Sequence, residues 1–402
     1  MSSFRCTLLS LLAVTFPLFC QPAAPQGFPY QPPANLTQLP VVTHEKVRNI
    51  ILLIGDGMSI STVSNARIHG AGVSGAMHMD RMPIAGFVRT CSADNLITDS
   101  AAASSAMACG LKTNNGRISR TPDGNPGLSI LSACQQKGMA AGLIVTSSVT
   151  HATPAGFGAH AMSRKEEPLI AENLLLNHID VLLGGGRAFF IPQTLPESRR
   201  HDDRNLLEEA RASQYTLLST RDELLAAKGP RVLGLFAEEG MQTLPPGPSL
   251  AEMTAKGLAL LSQNKKGFFL MIEGSQIDWA NHEHNAENSV RQTLDFDMAV
   301  AAALRFAEVD RHTLVVVTAD HETGGLSIIG GRVDGSEVEL SWSTDDHTGA
   351  TVPLYAYGPG ALRLSGFHEN TDIPKAFAAL LHITPFPVIL EEPLGSGHSG
   401  EK

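Results

Sequence analysis

No tract of basic residues occurs in the chain: 30 Lys and Arg stand against 40 Asp and Glu, for a net charge of -10 at pH 7. A surface built to neutralise the phosphates of a nucleic acid or an anionic bilayer is thereby excluded. Cysteine is scarce as well, with 5 in 402 residues. Cys6 and Cys20 fall in an N-terminal stretch that reads as removable, and Cys91, Cys109 and Cys134 allow at most one intramolecular disulfide. The fold is therefore not a disulfide-stapled scaffold, and its stability must come mainly from a core. The 43% hydrophobic content is enough to build one. No internal repeat is present, and no region is polar enough to be disordered throughout.

The apolar run from Leu8 to Phe19 is too short to span a bilayer as a mature helix. With Arg5 before it and Gln21-Pro-Ala-Ala-Pro25 after it, the run reads as a secretory signal over residues 1–24, cleaved near Ala23 or Ala24. Cys20 raises lipoprotein anchoring as an alternative, but the bulky Phe19 before it favours ordinary secretion or a periplasmic location. Residues 25–46 are polar and proline-rich, a flexible leader into the fold.

Val47 to Ile54 is a continuous run rich in β-branched residues, as expected of a strand buried on both faces in a parallel sheet. Gly55-Asp-Gly-Met58 ends it and projects the Asp56 carboxylate from the strand's C-terminal end, where open α/β sheets place their sites. A nucleotide-binding glycine turn would need a third glycine, and position 60 is Ile. Thr98 to Gly110 reads as a short alanine-rich helix, capped by Thr98 or Asp99 and stopped by Gly110. Ser100 then lies in the first turn, where unpaired N–H groups and the macrodipole favour an anion or an alkoxide. It is a candidate nucleophile, or else merely a cap.

Further strands are expected at 138–149, 181–183, 267–273 and 314–320, with a helix running from Ser163 to Asn177. Between 188 and 265, charged helical pieces alternate with proline turns, which reads as a helical scaffold, a lid or a dimer contact. The alternation of strands and helices predicts a doubly wound α/β fold, with a mostly parallel central sheet flanked by helices on both faces.

Several expected strands end in ionisable groups, and burying such groups costs free energy unless they are paired or coordinated. Asp56, Glu273, Asp278, His282, Asp320, His321 and His347 make an oxygen-and-imidazole set without thiolate. Asp278 and His282, at i and i+4, share a helix face. Imidazole with carboxylate suits zinc, and all-oxygen sites suit magnesium. Taken singly these are surface or supporting groups; taken together they indicate a hydrolytic metal centre. His284 diverges from His282 on a helix, and His69, His78, His160, His178, His312 and His368 have no recognisable partner.

From about residue 45 to about 390 the sequence resembles the alkaline phosphatase family. The resemblance rests on Gly55-Asp-Gly-Met58, Thr98-Asp-Ser-Ala-Ala102, His151-Ala-Thr-Pro154, Ser163-Arg-Lys165, Glu273-Gly-Ser-Gln-Ile-Asp278-Trp-Ala-Asn-His282, Thr318-Ala-Asp-His321-Glu-Thr-Gly324 and His347-Thr-Gly349. It implies one catalytic domain over 47–395, hydrolysing small phosphate monoesters at alkaline pH through a phosphoserine at Ser100. It further implies one zinc on Asp278, His282 and His347, and a second on Asp56, Asp320 and His321 with Ser100 as a changeable ligand. Magnesium would lie on Asp56, Thr153 and Glu273, and Arg164 would clamp two phosphoryl oxygens. A homodimer is also implied. His151 and Trp279, both placed toward the substrate, stand where the best-known bacterial form has Asp and Lys; a loosely held magnesium is the expected consequence.

The alternative for Arg164 is a surface ion pair with Glu167. A sulfatase would need a Cys/Ser-x-Pro-x-Arg motif, which Ser100-Ala-Ala-Ala-Ser104 lacks. Diesterases of the wider superfamily use Thr as nucleophile and lack the magnesium site, whereas Thr153 and Glu273 are both present here. A phosphate or metal binder without turnover would need no nucleophile beside Asp99.

Overall fold

The computed structural model describes residues 29–44, 46–242 and 246–391. The expected signal and the first residues of the leader lie outside them. In chain order the strands are β1 (Asn49–Gly55), β2 (Ile84–Arg89), β3 (Ala140–Ser148), β4 (Val181–Gly185), β5 (Thr216–Leu218), β6 (Val232–Leu235) and β7 (Phe268–Gly274). They continue as β8 (Thr313–Thr318), β9 (Glu322–Thr323), β10 (Ser327–Gly331), β11 (Val338–Ser341), β12 (His347–Thr348), β13 (Val352–Tyr357) and β14 (Gly366–Glu369). One sheet of ten strands runs in the order β14, β2, β13, β8, β1, β7, β3, β4, β6, β5. Only β13 runs against its neighbours; every other pairing in this sheet is parallel.

The apolar runs read as two-sided strands are buried along their whole length in β1, β3, β7 and β8. Helices Leu250–Leu261 and Ala286–Asp310 pack on each other and reach β7. Helices Ser100–Cys109, Ile130–Gln136 and Ala152–Gly158 form a second group, and the latter two also reach β7. Two separate helical groups on one fully buried strand make a layer on each face of the sheet, the doubly wound arrangement expected.

The span 188–265 departs from its purely helical reading. It supplies β5 and β6, which extend the sheet beyond β4 with Val181 opposite Val232 and Thr216 opposite Val232. Strands of three and four residues carry too little periodicity to be told from turns, so pairing with β4 decides them. The leader is tied down: Tyr30 is buried and donates its hydroxyl to Asp297 Oδ2 at 2.8 Å.

Cys91, Cys109 and Cys134 are free thiols. Burial pushes Cys109 and Cys134 up to about 12, away from thiolate reactivity. Among the described residues no helix is long and apolar enough to cross a membrane.

Candidate metal centre

β8, β1 and β7 lie side by side, and each delivers a carboxylate at or just beyond its C-terminal end: Asp320, Asp56 and Glu273. All three are 0% exposed. The turn after β1 needs glycine at position 57. Its φ is 68, and a Cβ there would lie 2.6 Å from Thr323 Oγ1 and 2.9 Å from Asp278 Cα.

Ser100 opens the helix Ser100–Cys109, whose N-cap is Asp99 and whose end at Gly110 is left-handed. Asp99 does two things at once. Its Oδ1 accepts from Ala102 N at 2.9 Å, capping the helix, while Oδ2 accepts from Gly116 N at 3.0 Å and from Arg164 Nη1 at 3.1 Å. The guanidinium is thus fixed relative to the Ser100 hydroxyl. The alternative pairing with Glu167 is not formed: Glu167 Oε2 instead accepts from Ser148 Oγ at 3.0 Å and Thr150 Oγ1 at 2.6 Å. Arg164 Nη2 also lies 3.3 Å from His151 Nε2, and the His151 ring meets Trp279 edge to face with centroids 6.2 Å apart. A Cβ on Gly240 would come within 2.5 Å of the Trp279 ring, so the indole is backed closely by that loop.

Three clusters of possible ligands adjoin one another. Asp278, His282 and His347 offer atoms within 4.8 Å of one another, as do Asp56, Asp278 and His321, and Asp56, His151 and Glu273. In the first, His282 Nε2 and His347 Nε2 lie 3.3 and 3.5 Å from Asp278 Oδ1. In the second, His321 Nε2 lies 3.1 Å from Ser100 Oγ, 3.2 Å from Asp320 Oδ2 and 3.5 Å from Asp56 Oδ1. The His321 and His347 rings stack at 3.6 Å, which joins the two. Thr153 is buried as well.

Charge is poorly balanced here. Burial, then the charges of Asp320 and Asp278, raise Asp56 far above the ordinary carboxylate range. Burial raises Glu273 to about 7 and, with help from Asp278, Asp320 to about 6. Burial would raise Asp278 too, but the His282 and His347 rings beside it outweigh that and hold the carboxyl well below its usual range. Both carboxylate oxygens of Asp56, together with Asp320 Oδ2, Glu273 Oε1, Thr153 Oγ1 and His151 Nδ1, are buried without a hydrogen-bond partner. Buried polar atoms are normally satisfied, and carboxylates massed around one point need cations. The donor set, imidazole nitrogen with carboxylate oxygen beside a harder oxygen-rich cluster, fits zinc and magnesium respectively.

The model of the family described as Alkaline phosphatase matches residues 47–341 and 335–383. The chain belongs to the alkaline phosphatase family. Alkaline phosphatase 3 of Bacillus subtilis is 34% identical over 87% of this chain and 92% of its own length. Streptomycin-6-phosphate phosphatase of Streptomyces griseus is 35% identical over 83% of this chain and 90% of its own length. Among solved structures, alkaline phosphatase from the Antarctic bacterium TAB5 superimposes with a TM-score of 0.78 at 33% identity, covering 85% of this chain and 100% of that one. A His-to-Asp variant of that enzyme, also at a TM-score of 0.78 with 34% identity and the same coverage, is described with Mg bound in the M3 site. As a member of this family the chain is a metal-dependent phosphatase, with candidate metal-binding groups gathered at the sheet's C-terminal edge.

Sequence reasoning gave no part to Thr323, and to Asp99 only that of a cap. Thr323 follows His321 by two residues, a spacing that returns side chains to one face of an extended chain. That was the available signal.

Proposed function

We propose that the chain hydrolyses phosphate monoesters to alcohol and inorganic phosphate, with Ser100 as nucleophile. The observation that carries this reading is the fixed triangle of Ser100 Oγ, His321 Nε2 at 3.1 Å, and Arg164, held by the carboxylate that caps the Ser100 helix. Arg164 presents a planar fork matched to two phosphoryl oxygens. Ser100 Oγ attacks phosphorus in line; the P–O bond to the alcohol breaks and a phosphoserine forms. A water oxygen then attacks the same phosphorus, releasing phosphate and restoring the hydroxyl.

Asp278, His282 and His347 would hold one zinc, Asp56, Asp320 and His321 a second, and Asp56, Thr153 and Glu273 a magnesium. When bound, these ions lower the pKa of the attacking oxygens and stabilise negative charge on the leaving group. Asp99 ties the guanidinium to the start of the Ser100 helix. We further propose operation outside the cytoplasm, supported by the Arg5 and Leu8–Phe19 pattern, and a homodimer, which gel filtration of the mature chain would test.

The defining experiment is turnover of p-nitrophenyl phosphate beside its bis-ester at alkaline pH, with and without added zinc. Zinc-dependent turnover of the monoester is expected; preference for the bis-ester would refute the reading.

Arg164→Ala is expected to weaken inhibition by inorganic phosphate and to lower kcat/KM, by about 1.5–3 kcal/mol or roughly 10- to 150-fold. The loss should be similar for small and large esters, because the fork meets the phosphoryl group that all esters share. Unchanged phosphate inhibition would contradict this role.

His151→Asp is expected to tighten magnesium. Arg164 donates toward His151 Nε2, and burial, with the nearby arginine, lowers the ring to about 3, so it stays neutral with its proton on Nδ1. An N–H beside Asp56 and Glu273 cannot accept from magnesium's waters, whereas an added carboxylate can. The variant of the Antarctic enzyme with Mg in its M3 site supports this reading. Activity followed against added magnesium after mild chelation checks it, and superimposable curves for parent and variant would defeat it. The added charge beside Arg164 should also slow turnover or shift its pH profile.

A further inference from the structure

The histidines of the two zinc clusters are held from behind in different ways. His282 and His347 each turn Nδ1 toward a backbone carbonyl, that of Asp345 at 2.6 Å and that of Thr98 at 2.9 Å. A carbonyl only accepts, so both rings carry their proton on Nδ1 and leave the Nε2 lone pair free to ligate. Behind His321 stands a side chain instead. Its Nδ1 lies 3.3 Å from Thr323 Oγ1, and that same oxygen donates to Asp278 Oδ1 at 2.5 Å.

A hydroxyl has one proton to give. The Asp278 carboxylate can only accept, so the proton goes there and the oxygen is left to accept from His321 Nδ1–H. We propose that Thr323 is a positioning residue which sets the His321 tautomer and couples the two zinc clusters, orienting one ligand of each through a single hydroxyl. This rests on the zinc reading above.

The hydroxyl is well placed for such a role. Thr323 is 0% exposed, its backbone pairs with His347 across β9 and β12, and its N–H donates to Gly57 O at 3.3 Å. Its two flanking supports are thus the turn that carries Asp56 and the strand that carries His347. Partners behind metal-ligating histidines fix ring orientation and raise ligand basicity, and their loss weakens metal binding by about 10- to 100-fold.

The test uses the full chain loaded with zinc and then dialysed against a graded zinc buffer, with bound metal measured directly. Thr323→Val keeps the shape and removes both hydrogen bonds; it should weaken zinc binding at both clusters by about 10- to 100-fold. Thr323→Ser keeps the hydroxyl and should restore parent affinity. Parent affinity at both clusters in Thr323→Val would overturn the proposal, as would weakened binding confined to one cluster. Nitrogen-15 NMR of the zinc-loaded parent supplies a second reading that needs no variant: His321 should show a protonated Nδ1 and a metal-bound Nε2, and the reverse assignment would also overturn it. A parent that binds no zinc in the same dialysis would instead refute the zinc reading itself.

Discussion

Ser100→Ala is expected to abolish nearly all turnover while leaving the fold in place. The side chain sits at the first helical position, with its hydroxyl 3.1 Å from His321 Nε2. Alanine has high helix propensity, and the Asp99 cap contacts Ala102 rather than Ser100, so the helix keeps its start. The chemistry has no such reserve. Without the hydroxyl no covalent phosphoryl intermediate can form, and knock-outs of activated serine nucleophiles elsewhere lower kcat by on the order of 10³-fold or more. Quench-flow with labelled phosphate should trap an acid-stable phosphoserine in the parent and none in the variant. Absence of that species in the parent would rule out covalent catalysis by Ser100, whatever the rate of the variant.

Replacing Asp278 should have an effect of similar size by another route. Its Oδ1 lies within 3.3 Å of His282 Nε2 and 3.5 Å of His347 Nε2, and it accepts from Thr323 Oγ1 at 2.5 Å. The residue also belongs to the cluster of Asp56 and His321. Asp278→Ala therefore removes a carboxylate shared by two clusters. The loss of zinc affinity should exceed the roughly 10- to 100-fold that follows removal of an outer partner, and rate should fall with metal content. Because a bound metal stabilises only the folded chain, chelation should lower the parent's Tm clearly and the variant's little. Metal analysis returning full zinc stoichiometry in Asp278→Ala would remove this residue from the ligand set.

Much of this candidate site is legible in the sequence. Asp56, Glu273 and Asp320 were legible because a buried strand that ends in a carboxylate is a local anomaly. Asp278 and His282 were legible because their spacing places them on one helix face. The family motifs then gave the expected grouping of ligands. Arg164 shows where such reading stops. Its pairing with Glu167 was a sound local alternative, yet the partner is Asp99, 65 residues away. Trp279, expected toward the substrate, meets the His151 ring edge to face, a contact 128 residues apart in sequence that no local pattern announces.

What the sequence determined by itself was whatever is written at short range. The β-branched runs specify strands buried on both faces, a cap at Thr98 or Asp99 and the Gly110 stop bound the helix that presents Ser100, and the glycine turn after β1 aims Asp56. Period, cap and turn are properties of a few neighbouring residues, so they survive without the rest of the chain. Tertiary structure alone decided the strand identity of β5 and β6, the docking of Tyr30 on Asp297, the choice of Asp99 by Arg164, and the place of Thr323 between two clusters. It also decided how His347, on a two-residue strand, reaches the carbonyl of Thr98 across 249 residues of sequence. These contacts join segments whose local patterns carry no information about each other; their partners are selected only when the sheet brings the strand ends together, and buried polar groups must then pair with whatever lies within reach.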